Sequence, residues 1–539
     1  TLSGLCDKRR GVKREAIVSF FTYDKRNRLI QVKDNLGAVI TYEYNCLNQC
    51  IGERTQTEEF LGQKTTYLYN AVGQLIQVEV QKETYDLVKQ IWEKRQGVSK
   101  SITQFFYDKN GNRIKTLYPE GSQEIKEYDA IDQVVKVIRK DTKAGICHEV
   151  TFTYDKAGNC LEESDKRGTM YYAYNLSNQI IRVEDREGGV NRFLYDRNKR
   201  LITWIDADSY ERQGENALGV CFRYDELGRL SKTYDSSGYL QEWNQYGKNG
   251  KLIRKENAEG ILVEYTYDIG GRQTAVITAR AKKAGKVSQA YTYDARGNII
   301  KVQDGEGNVT YYGVDLWGRI TNIQNPDGSK EFYSYNYAGR VTTTTDGNGN
   351  VMTYHYNGCN QISSIVDLVG KKEFYRYNKE GRVASYTNRN GVEIHYTWGF
   401  DGILLTKEAI HQEETKEEER NYMYRYDENE QLIEAMGGGI QYTYCYTPNG
   451  WLKQKKVNGM DALSYRYTKG GQIKTVIDFS GKIIEYEYNN QNDLIGIRDN
   501  EQLVAEYGYD RKGQLEEVRF ANGVWTQYQY DEENNLIQL

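Results

Sequence analysis

The sequence predicts an all-β fold: about 23 β-hairpins laid side by side in one continuous antiparallel strip. Three observations predict it. A Tyr-x-Tyr-Asp/Asn element recurs in phase along the chain, two glycine-rich turns recur at set offsets from it, and the runs between the turns alternate apolar and polar residues. Self-similarity at a period in the twenties marks a repeat architecture in which each unit packs on its neighbours.

The second tyrosine of the element serves as register mark. It falls at Tyr23, Tyr44 and Tyr69 and continues to Tyr488, Tyr509 and Tyr530, with Val314 and Trp398 standing in phase where tyrosine is missing. Most marks lie 20 to 22 residues apart. The first turn follows the mark. Four residues after it stands glycine in 14 repeats, asparagine at Asn27, Asn48, Asn178, Asn360, Asn492 and Asn534, and aspartate at Asp132, with Lys199 and Glu430 as exceptions. These residue types tolerate a left-handed backbone, so the position predicts a turn with positive φ. The second turn precedes the mark by seven residues, as at Gly37, Gly121, Gly307 and Gly481.

Between the turns lie runs such as VITYEYN (39–45), IIKVQD (299–304) and KIIEYEYN (482–489). They alternate β-branched or aromatic residues with polar ones, the period of a half-buried strand. Two strands per repeat predict about 46 strands in a meander. The period stretches near 81–104, 207–219 and 406–421, and these insertions predict loops or hairpins at one edge of a single array spanning 1–539. Within them TYDLVKQIWEKRQGV (84–98) has the pattern of a short amphipathic helix, and KEAIHQEETKEEER (407–420) is charged enough for a solvated loop.

Tyr-x-Tyr-Asp-x-x-Gly-Arg/Asn-Leu/Ile, as in FRYDELGRL (222–230), YTYDARGNI (291–299) and YGYDRKGQL (507–515), resembles the YD repeat of the Rhs and teneurin families. The resemblance covers essentially the whole chain. It implies a strip that spirals into a hollow shell, or part of one, which in bacterial members commonly encloses a C-terminal toxin domain and in teneurins presents a receptor surface. Bacterial members usually close the array with an Asp-Pro-x-Gly type motif where self-cleavage frees the toxin. Here only Pro119, Pro326 and Pro448 occur, none after aspartate, and the last residues, YDEENNLIQL, stop inside a repeat. The chain therefore reads as a segment of a larger protein, without plug or toxin. The function implied is a non-enzymatic, secreted or cell-surface bacterial shell for a C-terminal toxin of the same parent protein. The alternative is an adhesion surface for a cell-surface glycan or receptor.

Composition fits a single layer. Apolar residues make up 38%, and tyrosines number 48 against 13 phenylalanines. That is little aliphatic material for a thick core, whereas tyrosine, with a large ring and a polar tip, suits a sheet wetted on both faces, its rings stacking in cross-strand ladders. About 46 strands, ~24 Å long and ~4.8 Å apart, make a strip of roughly 5,300 Å², enough for a sphere of about 20 Å radius holding roughly a 12 kDa guest. A net charge of −4 without a basic stripe argues against nucleic acid, and no apolar run is long enough for a membrane span.

The chemistry-bearing motifs point the same way. DGEGN (304–308) and TDGNGNV (345–351) would cradle phosphate only before a helix, and a strand follows. DKNGN (108–112) and DGNGN (346–350) place oxygens in a tight loop but lack the closing glutamate of a calcium loop. His148, His355, His395 and His411 match no ligand or catalytic spacing, and the eight cysteines contain no CxxC pair. Trp204, Trp243, Trp317, Trp398, Trp451 and Trp525 could stack on sugars but equally serve sheet cohesion. No catalytic, cofactor-binding or metal-binding residue is singled out.

Overall fold

In the computed structural model the described residues are 19–34, 39–58, 61–86, 91–94, 100–257, 260, 262–399, 402–410, 421–531 and 535–539. Forty-six strands form one antiparallel sheet, and the strands Gln529–Tyr530 and Leu536–Gln538 pair separately. Strand after strand pairs with its neighbour in sequence. The sole departure among the described residues is at Leu75–Asp86, which pairs at its far end with Ile91–Lys94 and at its near end with Ser101–Tyr107. The backbone at 84–86 and 91–94 is thus an extended hairpin, not the helix its pattern suggested. Period-3.6 spacing in so short a run is overridden by the open edge of a long neighbouring strand. Residues 407–410 likewise prolong the strand Leu404–Ile410 instead of joining a loop, while 411–420, with His411, lie outside the described residues.

Each first turn is the same device. In DKAGN the Gly158 N–H reaches the Asp155 carbonyl (3.1 Å) and the Asp155 N–H reaches the Asn159 carbonyl (2.9 Å). The register then slips by one: Thr153 faces Glu162 but Tyr154 faces Cys160, leaving Leu161 as a bulge. The slip repeats at Tyr44, Tyr174, Tyr293 and Tyr467, and a bulge in every hairpin adds twist and curvature in one sense. Lys199 and Glu430, the residues that break the composition rule, still take φ of 64° and 62°. The turn's own bonds hold them there, from the Lys199 N–H to the Asp196 carbonyl (3.0 Å) and from the Glu430 N–H to the Asp427 carbonyl (3.1 Å).

The sheet is one layer thick. The accessible surface is 32880 Å² for 62.5 kDa, against about 20,000 Å² for a compact chain of that mass. Among the described residues no large side chain is fully buried.

Two insertions carry short helices, α1 (Ala207–Gln213) and α2 (Ala279–Lys283). Asp206 caps α1, accepting from the Ser209 N–H (3.0 Å) and hydroxyl (2.8 Å).

Candidate functional site

In a single-layer strip of like repeats the side chains that can act together are those that lock one repeat to the next and those where distant turns meet, so the candidate site is this lock and this seam. The lock begins with the register tyrosine. The ladder between Cys50–Glu58 and the next strand ends at Gly52↔Thr66, and the Tyr69 hydroxyl donates to the Cys50 carbonyl beyond that end (3.0 Å). The same bond runs from Tyr195 to Ile180, Tyr246 to Leu230, Tyr377 to Ile362 and Tyr509 to Leu494, at 2.8 to 2.9 Å. At Trp398 the indole N–H replaces the hydroxyl and reaches the Val383 carbonyl (2.6 Å). Phenylalanine could not do this, which accounts for tyrosine at the register position. Ring stacking is the lesser part, as in Tyr375 with Tyr386 at 5.0 Å, because register tyrosines are separated by an intervening strand and about 9.6 Å.

The turn residues complete the lock. The Asp225 carboxylate accepts from the Leu227 and Arg229 N–H groups and pairs with the Arg229 guanidinium. That guanidinium lies 4.4 Å from the centre of the next register ring, Tyr246. Arg28, Arg200, Arg272 and Arg319 repeat the arrangement. Where glutamine takes the position its amide reaches the next turn, Gln431 to the Gly450 carbonyl (3.0 Å) and Gln179 to that of Lys199 (2.7 Å). The backbone N–H bond from Arg229, then its side chain, hold the Asp225 carboxyl below the usual aspartate range. The turns weighed as ion sites use their oxygens internally in the same way. Asp346 accepts from the Asn348 and Asn350 N–H groups and the Asn350 amide, and Asp304 from their counterparts at Glu306 and Asn308.

The seam joins turns 254 to 286 residues apart. First turns of the later repeats sit on second turns of the earlier ones. The Lys379 N–H meets Glu120 (3.3 Å), Lys166 pairs with Glu428 (2.5 Å), Lys469 reaches the Glu187 carbonyl (2.5 Å) and the Ser236 hydroxyl that of Asn490 (3.1 Å). At the centre α1 plugs the seam: Asp208, 5% exposed, accepts from the Gly470 N–H (2.8 Å) and the Thr468 hydroxyl (2.9 Å). Space is tight. A Cβ on Gly470 would strike the Asp208 carboxylate, one on Gly399 the Asp141 carboxylate, and one on Gly358 would lie 2.9 Å from the Gly62 carbonyl. None of these three has positive φ, so their glycine answers to close approach, a role composition could not separate from the turn glycines.

His148 lies in the strand Ile146–Tyr154, its pKa pushed down by burial. His355 lies in Val351–Tyr356, and His395 meets Glu393 at 3.1 Å. The three are on separate strands. The seven described cysteines are free thiols, and no group of three His, Cys, Asp or Glu side chains among the described residues could hold a metal ion. No helix among them is long and apolar enough to cross a membrane. Trp451, Tyr465 and Tyr467 line a recess at the seam beside Glu187 and Lys469, with Trp451 and Tyr467 5.3 Å apart.

This geometry has counterparts. Residues 59–289 match the profile of the teneurin YD-shell, and 314–351 and 335–372 match the RHS repeat. Over 320 residues the chain is 24% identical to a probable deoxyribonuclease, RhsB, of Dickeya dadantii, covering 48% of this chain and 22% of that one. Over 171 residues it is 25% identical to the tRNA3(Ser)-specific nuclease WapA of Bacillus spizizenii, covering 26% of this chain and 7% of the relative. The chain thus matches well under a third of these relatives' length. The crystal structure of TcdB2-TccC3 superposes on 96% of this chain and 36% of its own, with a TM-score of 0.66 at 14% identity.

Proposed function

The chain belongs to the Rhs/YD-repeat family, and from that premise we propose that it is a non-enzymatic shell segment that encloses a C-terminal toxin domain of its parent protein and helps deliver it from a bacterium to the cell exterior. The seam is the observation that carries this reading. A strip that meets its own edge after 254 to 286 residues surrounds a space. About 24 strands per winding at ~4.8 Å give a ring of roughly 18 Å radius, and two windings about 24 Å tall leave room, inside ~5 Å of side chains, for a guest of about 20 kDa. The enzymatic names of the relatives would then describe guests, not walls.

Small-angle scattering tests it. A pair-distance distribution with a depleted centre is expected, and an elongated profile would sink the enclosure. In the parent protein, a C-terminal domain that resists protease until the strip is cut is the second expected result.

The aromatic recess of Trp451, Tyr465 and Tyr467 favours a second reading, an adhesion surface for glycans. Glycan-array binding lost on Trp451→Ala would support it.

A further inference from the structure

Strands of neighbouring hairpins splay beyond the end of their ladder, and the recess this leaves beside a register tyrosine recurs along the strip with different charge. Beside Tyr426 four cations line it and each is paired: Lys143 with Glu120, Lys166 with Glu428, Arg167 with Asp165 and Arg425 with Glu434. Beside Tyr335, Arg319 is paired with Asp315. Beside Tyr128 the lining is acidic, with Asp108, Glu127, Asp129 and Asp132 against Lys115 and Lys126.

The recess of Trp451, Tyr465 and Tyr467 departs from these. Lys453, Arg466 and Lys469 line it, Lys469 reaches a backbone carbonyl, and none of the three is paired with a carboxylate among the described residues. Its two flanking turns carry no acidic residue, because threonine stands at 447 and 468 where most repeats have aspartate or asparagine. Each threonine oxygen keeps the bond the turn needs, accepting from the Trp451 N–H (3.3 Å) and the Gln472 N–H (3.1 Å), and only the charge is lost. Two carboxylates come near from the first winding. Asp208 is spent on the Gly470 N–H and the Thr468 hydroxyl, while the Glu187 Oε2 atom is buried without a partner. The Asn449 Nδ2 atom, from the other winding, is buried and unpartnered as well, and a turn of either side chain brings its free atom into the recess.

We propose that this recess binds a hexuronate, a sugar unit carrying a carboxylate, at the end of a glycan. The inference rests on the glycan reading above and names its ligand. A carboxylate matches the three cations, hydroxyls match Glu187 and Asn449, and the apolar face of the sugar ring matches the aromatic side chains. A simple anion would leave Glu187 without a donor, and a neutral sugar would make no use of the cations. The enclosed volume of about 270 Å³ lies just under the roughly 300 Å³ at which sites for drug-sized ligands begin, so it takes one sugar unit.

The test is titration of the full chain with glucuronate, glucose and acetate, followed by ligand-observed nuclear magnetic resonance. Glucuronate should bind about tenfold or more tighter than either of the others, and less tightly as salt is raised. Lys453→Glu with Arg466→Glu should lower its affinity about tenfold or more, and because both side chains are exposed the far-ultraviolet spectrum should not change. Arg425→Glu, in the recess beside Tyr426, should leave the affinity within about twofold. Acetate binding as tightly as glucuronate would mark a mere anion site and overturn the proposal, as would equal binding by the Lys453 and Arg466 double variant. Failure of glucuronate to bind overturns it too: neutral glycans still captured on an array would then leave the broader glycan reading standing, and no capture of any glycan would remove both.

Discussion

Replacing Asp208 by alanine should open the seam without unfolding the strip. Its carboxylate is 5% exposed and accepts two bonds from the far winding, at 2.8 Å from the Gly470 N–H and 2.9 Å from the Thr468 hydroxyl. Bonds to a charged group contribute about 1.5 to 3 kcal/mol each, so the pair is worth roughly 3 kcal/mol or more before relief of carboxylate burial is subtracted. A net loss of about 2 to 3 kcal/mol corresponds to a roughly 30- to 150-fold rise in local opening. Hydrogen exchange reads it directly, because the Gly470 amide is itself one of the donors. Its protection should fall by that factor, while amides in the paired strands Leu452–Val457 and Met460–Tyr467 keep theirs, being held by ladder bonds that do not cross the seam. Unchanged protection at Gly470 would refute the contact, and loss spread evenly over both windings would show that the seam and the strip unfold as one unit.

Three further outcomes follow from the repeat lock. Tyr377→Phe should cost about 1 kcal/mol in denaturant titrations by stranding the Ile362 carbonyl, whereas Val314→Tyr should stabilise by a similar amount by giving that repeat the missing hydroxyl. The backbone N–H bonds of Arg200, Arg229 and Arg272, then their side chains, hold Asp196, Asp225 and Asp268 below the ordinary 3.8. A depressed carboxylate stabilises the fold above its unfolded pKa and loses that stability as pH falls through the folded one. Melting temperature should therefore be insensitive to these groups from neutral pH to about 5 and drop below about 4, as followed by circular dichroism. Exposed Cys46, Cys147 and Cys445 should react quickly with a thiol reagent, and Cys50, Cys160 and Cys359, whose thiols burial pushes up, slowly; equal rates would contradict the burial assigned to the last three.

The strands, both turns of each repeat and the phase in which Val314 and Trp398 stand for tyrosine were legible because they are local. A left-handed turn favours glycine, asparagine or aspartate four residues after its mark, and alternation reports a half-buried strand directly. The insertions were less so. At 84–98 a helical pattern yields to strand pairing, because a short run beside an unpaired edge gains more from ladder bonds than from its own turns. The purpose of tyrosine was legible only as a preference for ring and hydroxyl together. That the hydroxyl reaches the carbonyl beyond the ladder's end, typically 15 residues back, depends on the register slip.

By itself the sequence determined a single-layer meander of like hairpins, because each hairpin's bonds lie within itself and its neighbour. Tertiary structure alone decided that the meander closes, and where. Curvature accumulates from a small bend per bulge, so the partner that Glu428 finds in Lys166, or Gly470 in Asp208, emerges from a dozen or so repeats added together and has no signature at either end.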